Sequence, residues 1–158
     1  MPTSTFALPL LSLLVAGCVV AANAPGTASL EPFPVAPTGQ TRWVIELPPK
    51  DKEADWRVEL IPGKQMDIDC NHHGLQGKLE TKTVQGWGYD YYELVTEGQV
   101  FSTRMGCPDT SKRSAFVQGE SLTVPYNSRL LLVVLADKAY AIKYRIWQAG
   151  TVQTAQVR

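Results

Sequence analysis

The chain has 158 residues, and its 15 Lys and Arg balance 15 Asp and Glu, so the formal charge is zero at neutral pH. No block of like charge stands out, which excludes nucleic acid as a partner because phosphate binding needs clustered Lys and Arg. There are only three cysteines, at positions 18, 70 and 107, and each needs its own account.

Residues 6–22 form an apolar run, Phe-Ala-Leu-Pro-Leu-Leu-Ser-Leu-Leu-Val-Ala-Gly-Cys-Val-Val-Ala-Ala, at the very start of the chain. Pro9 interrupts it, so it reads as an export signal rather than a spanning helix, although the residues before it carry no Lys or Arg. Small residues around Ala22 and Ala24 suit signal-peptidase cleavage, which makes residues 1–24 the signal. Removing them leaves about 134 residues, enough for one domain with a real core. Val15-Ala16-Gly17-Cys18 also fits a bacterial lipobox, in which Cys18 would be lipidated and become the first residue. The competing reading is that Cys18 is discarded with the signal. A lipid on Cys18 is the one membrane contact the sequence offers. Residues 25–41, rich in Pro, Ala, Gly and Thr, read as a tether to a domain spanning residues 42–158.

From Arg42 the patterns are short and strand-like. Trp43-Val44-Ile45-Glu46-Leu47 ends at Pro48-Pro49, and Trp56-Arg57-Val58-Glu59-Leu60-Ile61 alternates and is expected to stop at Pro62-Gly63. Tyr89 to Val95 is aromatic and β-branched, and Leu130 to Leu135 is continuously apolar, as expected of a central strand buried on both faces. Ala141 to Trp147 alternates again, and Thr151 to Val157 reads as a final strand. No window long enough for a substantial helix keeps a 3.6-residue period without Gly, Pro or β-branched interruption. The expected fold is all-β, a single antiparallel two-sheet sandwich or barrel.

The segment Val100-Phe101-Ser102-Thr103-Arg104-Met105-Gly106-Cys107 carries the most specific chemistry. A trypsin-type serine protease cuts after a basic residue held in extended chain, which puts Arg104 at P1 with Thr103 before it and Met105 after it. A lone Arg in a polar loop is usually a solvated side chain. Here the setting adds to it: Ser102 and Thr103 favour extended backbone, Gly98 and Pro108 bracket the segment, and Cys107 can lock it. In an exported chain Cys70 is the sensible partner of Cys107, and the loop they close is worth about 4 kcal/mol of chain entropy. A cleavable segment pinned beside its scissile bond is the design of a substrate-like protease inhibitor.

Cys70-Asn71-His72-His73 with Cys107 also supplies two Cys and two His, so zinc has to be weighed. Adjacent histidines on extended chain point to opposite sides, whereas structural zinc usually has two close ligand pairs, so no metal site is expected. A Cys–His nucleophile is disfavoured because export oxidises the pair. Neither Gly-x-Ser-x-Gly nor His-Glu-x-x-His occurs, so no enzyme is expected and no cofactor is implied. In Gly86-Trp87-Gly88-Tyr89-Asp90-Tyr91-Tyr92, a hairpin turn enters an aromatic strand with half its rings directed to the core. Trp87 between two glycines is nonetheless poorly placed for burial and well placed for display, and exposed Trp and Tyr are typical binding anchors. On these residues alone an envelope β-sandwich binding carbohydrate or protein through Trp87, Tyr89 and Tyr91 stays open beside the inhibitor.

Together with Asp69-Cys70-Asn71, Gly77-Lys78-Leu79-Glu80, Tyr126-Asn127-Ser128 and Lys143-Tyr144-Arg145-Ile146-Trp147, these segments resemble the ecotin family of periplasmic serine protease inhibitors. The resemblance runs from Pro34 to Arg158. It implies a two-sheet β fold that dimerises by exchanging C-terminal strands, roughly Tyr140 to Arg158, so that each dimer binds two trypsin-fold proteases in the periplasm. It implies a reactive loop of Ser102, Thr103, Arg104, Met105 and Gly106, braced by Asn71, His72, His73 and Gly74, with the Cys70–Cys107 disulfide beside it. It also implies a secondary site on the other subunit, formed by Trp87, Gly88, Tyr89 and Asp90 together with Asn127 and Arg129. Neither site needs a metal or cofactor. Three positions depart from the family pattern: Arg104 stands where the best-known member has methionine, Gly74 where arginine is frequent, and Pro125 where arginine is frequent after a longer preceding segment. Arg104 should bias the chain towards trypsin-like enzymes. The other two bear on the brace and on the secondary site.

Overall fold

The computed structural model describes residues 28–158; the expected export segment and Cys18 lie outside the described residues. Ten strands follow in chain order: β1 (Gln40–Ile45), β2 (Trp56–Ile68), β3 (His73–Leu75), β4 (Lys78–Thr83), β5 (Asp90–Val95), β6 (Val100–Ser102), β7 (Arg113–Gln118), β8 (Leu122–Pro125), β9 (Leu132–Asp137) and β10 (Ala141–Gln148). A single 3-10 turn at Glu53–Asp55 is the one helical element among the described residues. The fold is all-β, as the alternating patterns predict.

One sheet has the order β1-β9-β5-β4, and in the second β2 is flanked by β10 on one side and by β7 and β8 on the other. β3 and β6 make a separate two-stranded ribbon. All pairings are antiparallel except β5 with β9, which run parallel through Tyr92↔Val134 and Glu93↔Leu135. A parallel neighbour cannot be reached by a hairpin and needs a long crossover. The chain makes that crossover by building β6, β7 and β8 between β5 and β9, and the Arg104 segment lies within it.

The main core lies between the two sheets, where Ile45, Leu47, Val58, Leu60, Leu79, Tyr92, Leu94, Val124, Tyr126, Leu132, Val134, Ala136 and Ile142 form one buried cluster. β9 is buried on both faces: Leu132 and Val134 enter this cluster, while Val133 joins Phe33 and Leu131 in a second one. A third, small cluster of Ile68, Leu75 and Val117 seats the β3–β6 ribbon on the second sheet.

Three sequence expectations are corrected. β2 does not stop at Pro62-Gly63 but continues to Ile68. Pro62 faces the gap between β8, paired to Arg57–Leu60, and β7, paired to Gly63–Ile68, and its carbonyl accepts from Gly119 N at 2.8 Å. Its missing N–H therefore costs no ladder bond. Gly63 is required by close packing, since a Cβ there would lie 2.6 Å from both the Phe116 ring and the Val117 carbonyl. Secondly, Thr151–Val157 is not a strand: β10 pairs along β2 only as far as Trp56, and residues 149–158 run on exposed, past the end of the sheet. Thirdly, the segment 25–41 is not all tether. Phe33 is buried against Leu131 and Val133, Arg42 Nη1 donates to the Pro34 carbonyl at 3.3 Å, and β1 begins at Gln40. Composition hides this because one aromatic among prolines is enough to dock the segment.

Candidate functional site

The ribbon positions the Arg104 segment. β3 and β6 pair through His73↔Ser102, Gly74↔Phe101 and Leu75↔Val100, and Thr103 N extends the ladder by donating to the His72 carbonyl at 3.0 Å. Beyond Thr103 the chain leaves the ribbon, and Arg104, Met105 and Gly106 are exposed. None of the ion pairs among the described residues involves Arg104. The loop is tied at its far side by the Cys70–Cys107 disulfide, with Cα atoms 5.8 Å apart, which also removes both thiols from metal or nucleophilic chemistry.

Asn71 sits behind the loop and is the one buried polar side chain among the described residues, 6% exposed. Its Oδ1 accepts from Met105 N at 2.7 Å and from Thr103 Oγ1 at 2.8 Å. Its Nδ2 donates to Asp69 Oδ2 at 3.1 Å and to the Met105 carbonyl at 3.3 Å, and lies 3.6 Å from Cys107 Sγ. Thr103 Oγ1 in turn accepts from His72 N at 3.1 Å. One amide thus grips the chain immediately before and immediately after Arg104. Around it, Asp69 Oδ1 accepts from Asn71 N at 2.8 Å, closing a short Asx turn, and His73 Nδ1 contacts the Asn71 carbonyl at 3.0 Å.

Hydrogen bonds from the Asn71 backbone and side-chain N–H groups hold the Asp69 carboxyl below its ordinary value. A depressed folded value means the stabilisation is complete above the ordinary aspartate range and is lost as pH falls through the lowered value. Acid therefore weakens this brace only below the usual carboxylate range.

Gly74 is where an arginine was expected from the family pattern, and the structure fills its place differently. A Cβ on Gly74 would collide with the tip of the Phe101 ring, overlapping Cζ and lying 2.8 Å from Cε1 and Cε2. The ring lies on the glycine backbone and remains 64% exposed. Gly74→Ala is expected to push the ring off the strand and, because the ring is already largely exposed, to cost only about 1 kcal/mol of stability, the low end of an overpacking penalty. Urea unfolding checks this, and adding Phe101→Ala to Gly74→Ala should recover most of the loss.

The second candidate surface is built on the β4–β5 turn. Trp87 N and Gly88 N both donate to the Val84 carbonyl, at 3.3 and 3.0 Å, and Gly86 and Gly88 have φ of +82° and +68°. This tight turn displays Trp87 at 55% exposure, while Asp90 accepts from Thr83 Oγ1 at 3.1 Å at its base. Tyr89 and Tyr91 are partly buried against the Phe33 cluster, and Tyr89 stacks on Phe33 with centroids 6.1 Å apart. Trp87, Tyr89 and Arg129 line a common shallow cleft of about 240 Å³ with Ala28, Ser29, Glu31 and Pro32; Gly88, Asp90 and Asn127 do not line it. Asn127 instead shapes its own loop, its Oδ1 accepting from Arg129 N at 2.9 Å. Ser128 N donates to the Glu53 carboxylate at 3.2 Å, and the Ser128 hydrogen bonds hold that carboxyl below its usual range.

Sequence reading singled out Arg104, Cys107, Asn71 and Trp87 but not the roles of Asp69, Phe101 and Phe33. Asp two residues before Asn in Asp69-Cys70-Asn71 is a readable Asx-turn signal. Phe101 over Gly74 and Phe33 under Tyr89 join residues far apart in the chain and had no local signal.

The sequence model of the family described as Ecotin matches residues 29–149. The chain is 39% identical to the Ecotin of Yersinia enterocolitica serotype O:8 / biotype 1B, over 94% of this chain and 98% of that protein. It is 44% identical to the Ecotin of Serratia proteamaculans strain 568, over 79% and 76% of the two chains. It is 41% identical to the Ecotin of Pseudomonas putida strain W619, over 94% and 97%. The chain belongs to the ecotin family, whose members are serine protease inhibitors and not enzymes.

Proposed function

We propose that the chain inhibits trypsin-fold serine proteases by offering Ser102–Gly106 as a substrate whose cleavage does not run to completion, with Arg104 at P1 and Met105 at P1′. The observation that carries this reading is the Asn71 amide, which holds Thr103 Oγ1 and Met105 N on either side of Arg104. The protease serine oxygen attacks the Arg104 carbonyl carbon, and the bond to Met105 N breaks to give an acyl-enzyme and a free amine. In an ordinary substrate the amine diffuses away and water takes its place. Here Asn71 Oδ1 keeps hold of an N–H on Met105 and the disulfide holds Cys107, so the amine stays where water would have to enter. Its lone pair re-attacks the ester carbonyl, the serine oxygen leaves, and the peptide bond is restored. Preformed geometry also spares the ordering cost of a flexible peptide, so more contact energy appears as affinity.

In this reading the secondary contact is made by Trp87, Gly88, Tyr89 and Asp90 with Asn127 and Arg129 of the other subunit of a homodimer. Because β10 pairs with β2 of its own chain, the exchanged segment is assigned to residues 149–158, whose Val152 and Val157 are 94% and 100% exposed. A second contact on the same protease raises the effective concentration at the first. The protein acts in the periplasm after export, and the mechanism uses neither metal nor cofactor.

Inhibition constants against trypsin, chymotrypsin and elastase test the proposal. Trypsin should be bound most tightly because the S1 acid pairs with Arg104; weaker inhibition of trypsin than of elastase would contradict it. Asn71→Ala should speed hydrolysis of the Arg104–Met105 bond by about 30- to 100-fold, the effect of losing two to three hydrogen bonds that order the site.

A further inference from the structure

Asn71 can hold both sides of Arg104 only in one of two orientations of its amide. Turned by 180° about its last bond, the side chain fills the same space with oxygen and nitrogen exchanged, and Nδ2 would then face Met105 N–H and Thr103 Oγ1, placing donor against donor at Met105. In the intact loop, Met105 N–H itself favours the correct orientation. That constraint weakens when the Arg104–Met105 bond opens and the new terminus can move. A second constraint, on the opposite end of the amide, is supplied by Asp69. Its Oδ2 lies 3.1 Å from Nδ2 and, as a carboxylate, can only accept. Its Oδ1 accepts from Asn71 N at 2.8 Å and lies 3.7 Å from His73 Nε2. Residues 69, 71 and 73 thus form a hydrogen-bonded row that ends on the loop.

We propose that Asp69 is a positioning residue of the reactive loop, its carboxylate keying the Asn71 amide in the orientation that retains Thr103 and Met105. The function assigned to the loop is the inhibitor reading above, and on that reading Asp69 acts on the lifetime of the bound loop rather than touching the protease. The depressed Asp69 carboxyl accords with this, since it keeps the group a pure acceptor throughout the neutral range. The same geometry makes a prediction in the protein alone: the exposed Met105 amide is protected from exchange by Asn71 Oδ1, and Asp69 controls that protection.

The test uses three substitutions in the whole protein. Asp69→Ala removes both acceptor oxygens. Asp69→Ser keeps a hydroxyl able to cap Asn71 N but lacks the second oxygen that holds Nδ2, and it serves where Asp69→Ala folds poorly. Asp69→Asn keeps the shape and one acceptor oxygen but puts an NH2 in place of the other, so it sets donor against donor at Asn71 N or Nδ2 without leaving a gap. Hydrogen–deuterium exchange of the free protein should show Met105 protection falling about tenfold in all three variants, with β9 amides unchanged. Incubation with trypsin should show Arg104–Met105 hydrolysis accelerated by a similar factor, and no further acceleration when Asp69→Ala is added to Asn71→Ala. Unchanged Met105 protection within twofold, or an Asp69 effect that adds in full to that of Asn71→Ala, overturns the proposal. If Met105 protection responds as expected but the parent protein does not inhibit trypsin, the keying of Asn71 stands and the inhibitor reading falls.

Discussion

Replacing Arg104 with aspartate is expected to abolish inhibition of trypsin, weakening it at least about ten-thousand-fold. Two effects add. Removing one partner of a desolvated, hydrogen-bonded charge pair costs about 3–5 kcal/mol, and bringing a carboxylate to an acid-bottomed pocket adds like-charge repulsion of several kcal/mol. At about 1.4 kcal/mol per tenfold, the lower sum already exceeds four orders of magnitude. The protein itself should not notice the change. Arg104 is exposed and absent from the ion pairs among the described residues, so its unfolding free energy should move by less than about 0.5 kcal/mol. Inhibition surviving in this variant would place the dominant contact on the Trp87–Arg129 surface instead. Titration of active trypsin with parent and variant, alongside urea unfolding of each, reads both quantities.

The second large effect is expected from the Cys70→Ser/Cys107→Ser double variant. The two cysteines are separated by 37 residues, and releasing that loop returns about 4 kcal/mol of chain entropy to the unfolded state. Stability should fall by roughly this amount in urea unfolding. Inhibition should change in kind as well as degree. The segment after Met105 would be held by Asn71 alone, so the cleaved terminus departs before it can re-attack. Trypsin should then be inhibited only transiently, with the Arg104–Met105 bond hydrolysed to completion. A double variant that remains a lasting inhibitor would show that the disulfide serves stability alone.

The parts of the fold that could be read from sequence are those fixed by local pattern. Leu130 to Leu135 announces a central strand because a strand covered on both faces has no polar side to alternate, and β9 is found there, shifted two residues later. β10 was legible for the opposite reason, its clear alternation on an edge. β3 and β6, three residues each, were not legible, since so short a strand is defined by its partner rather than by its own residues. Yet this ribbon is what positions the Arg104 segment. Pro62-Gly63 misled because its acceptability depends on facing the gap between two other strands, which is a property of the assembled sheet.

The site divides in the same way. The disulfide tether at Cys107 was legible because it is written in a few adjacent residues, and so were the exposed Arg104, to which the P1 role is proposed, and Trp87, which flanking glycines keep from the core. The part played by Asp69 was not, because it acts through Asn71 on residues more than thirty positions away. The consequence of Gly74 was read only as a loss of support; the Phe101 ring that occupies the space could be located only once β3 and β6 were paired.

The measurement that bears most directly on the central claim is identification of the bond that trypsin opens. The protein is incubated with a catalytic amount of trypsin at mildly acidic pH and the products are mass-analysed before and after reduction. The account predicts one cut, between Arg104 and Met105, giving a species heavier by one water whose halves separate only on reduction, and which still inhibits fresh trypsin as the bond re-forms. Cleavage elsewhere, or an Arg104-cleaved species that no longer inhibits, would contradict it.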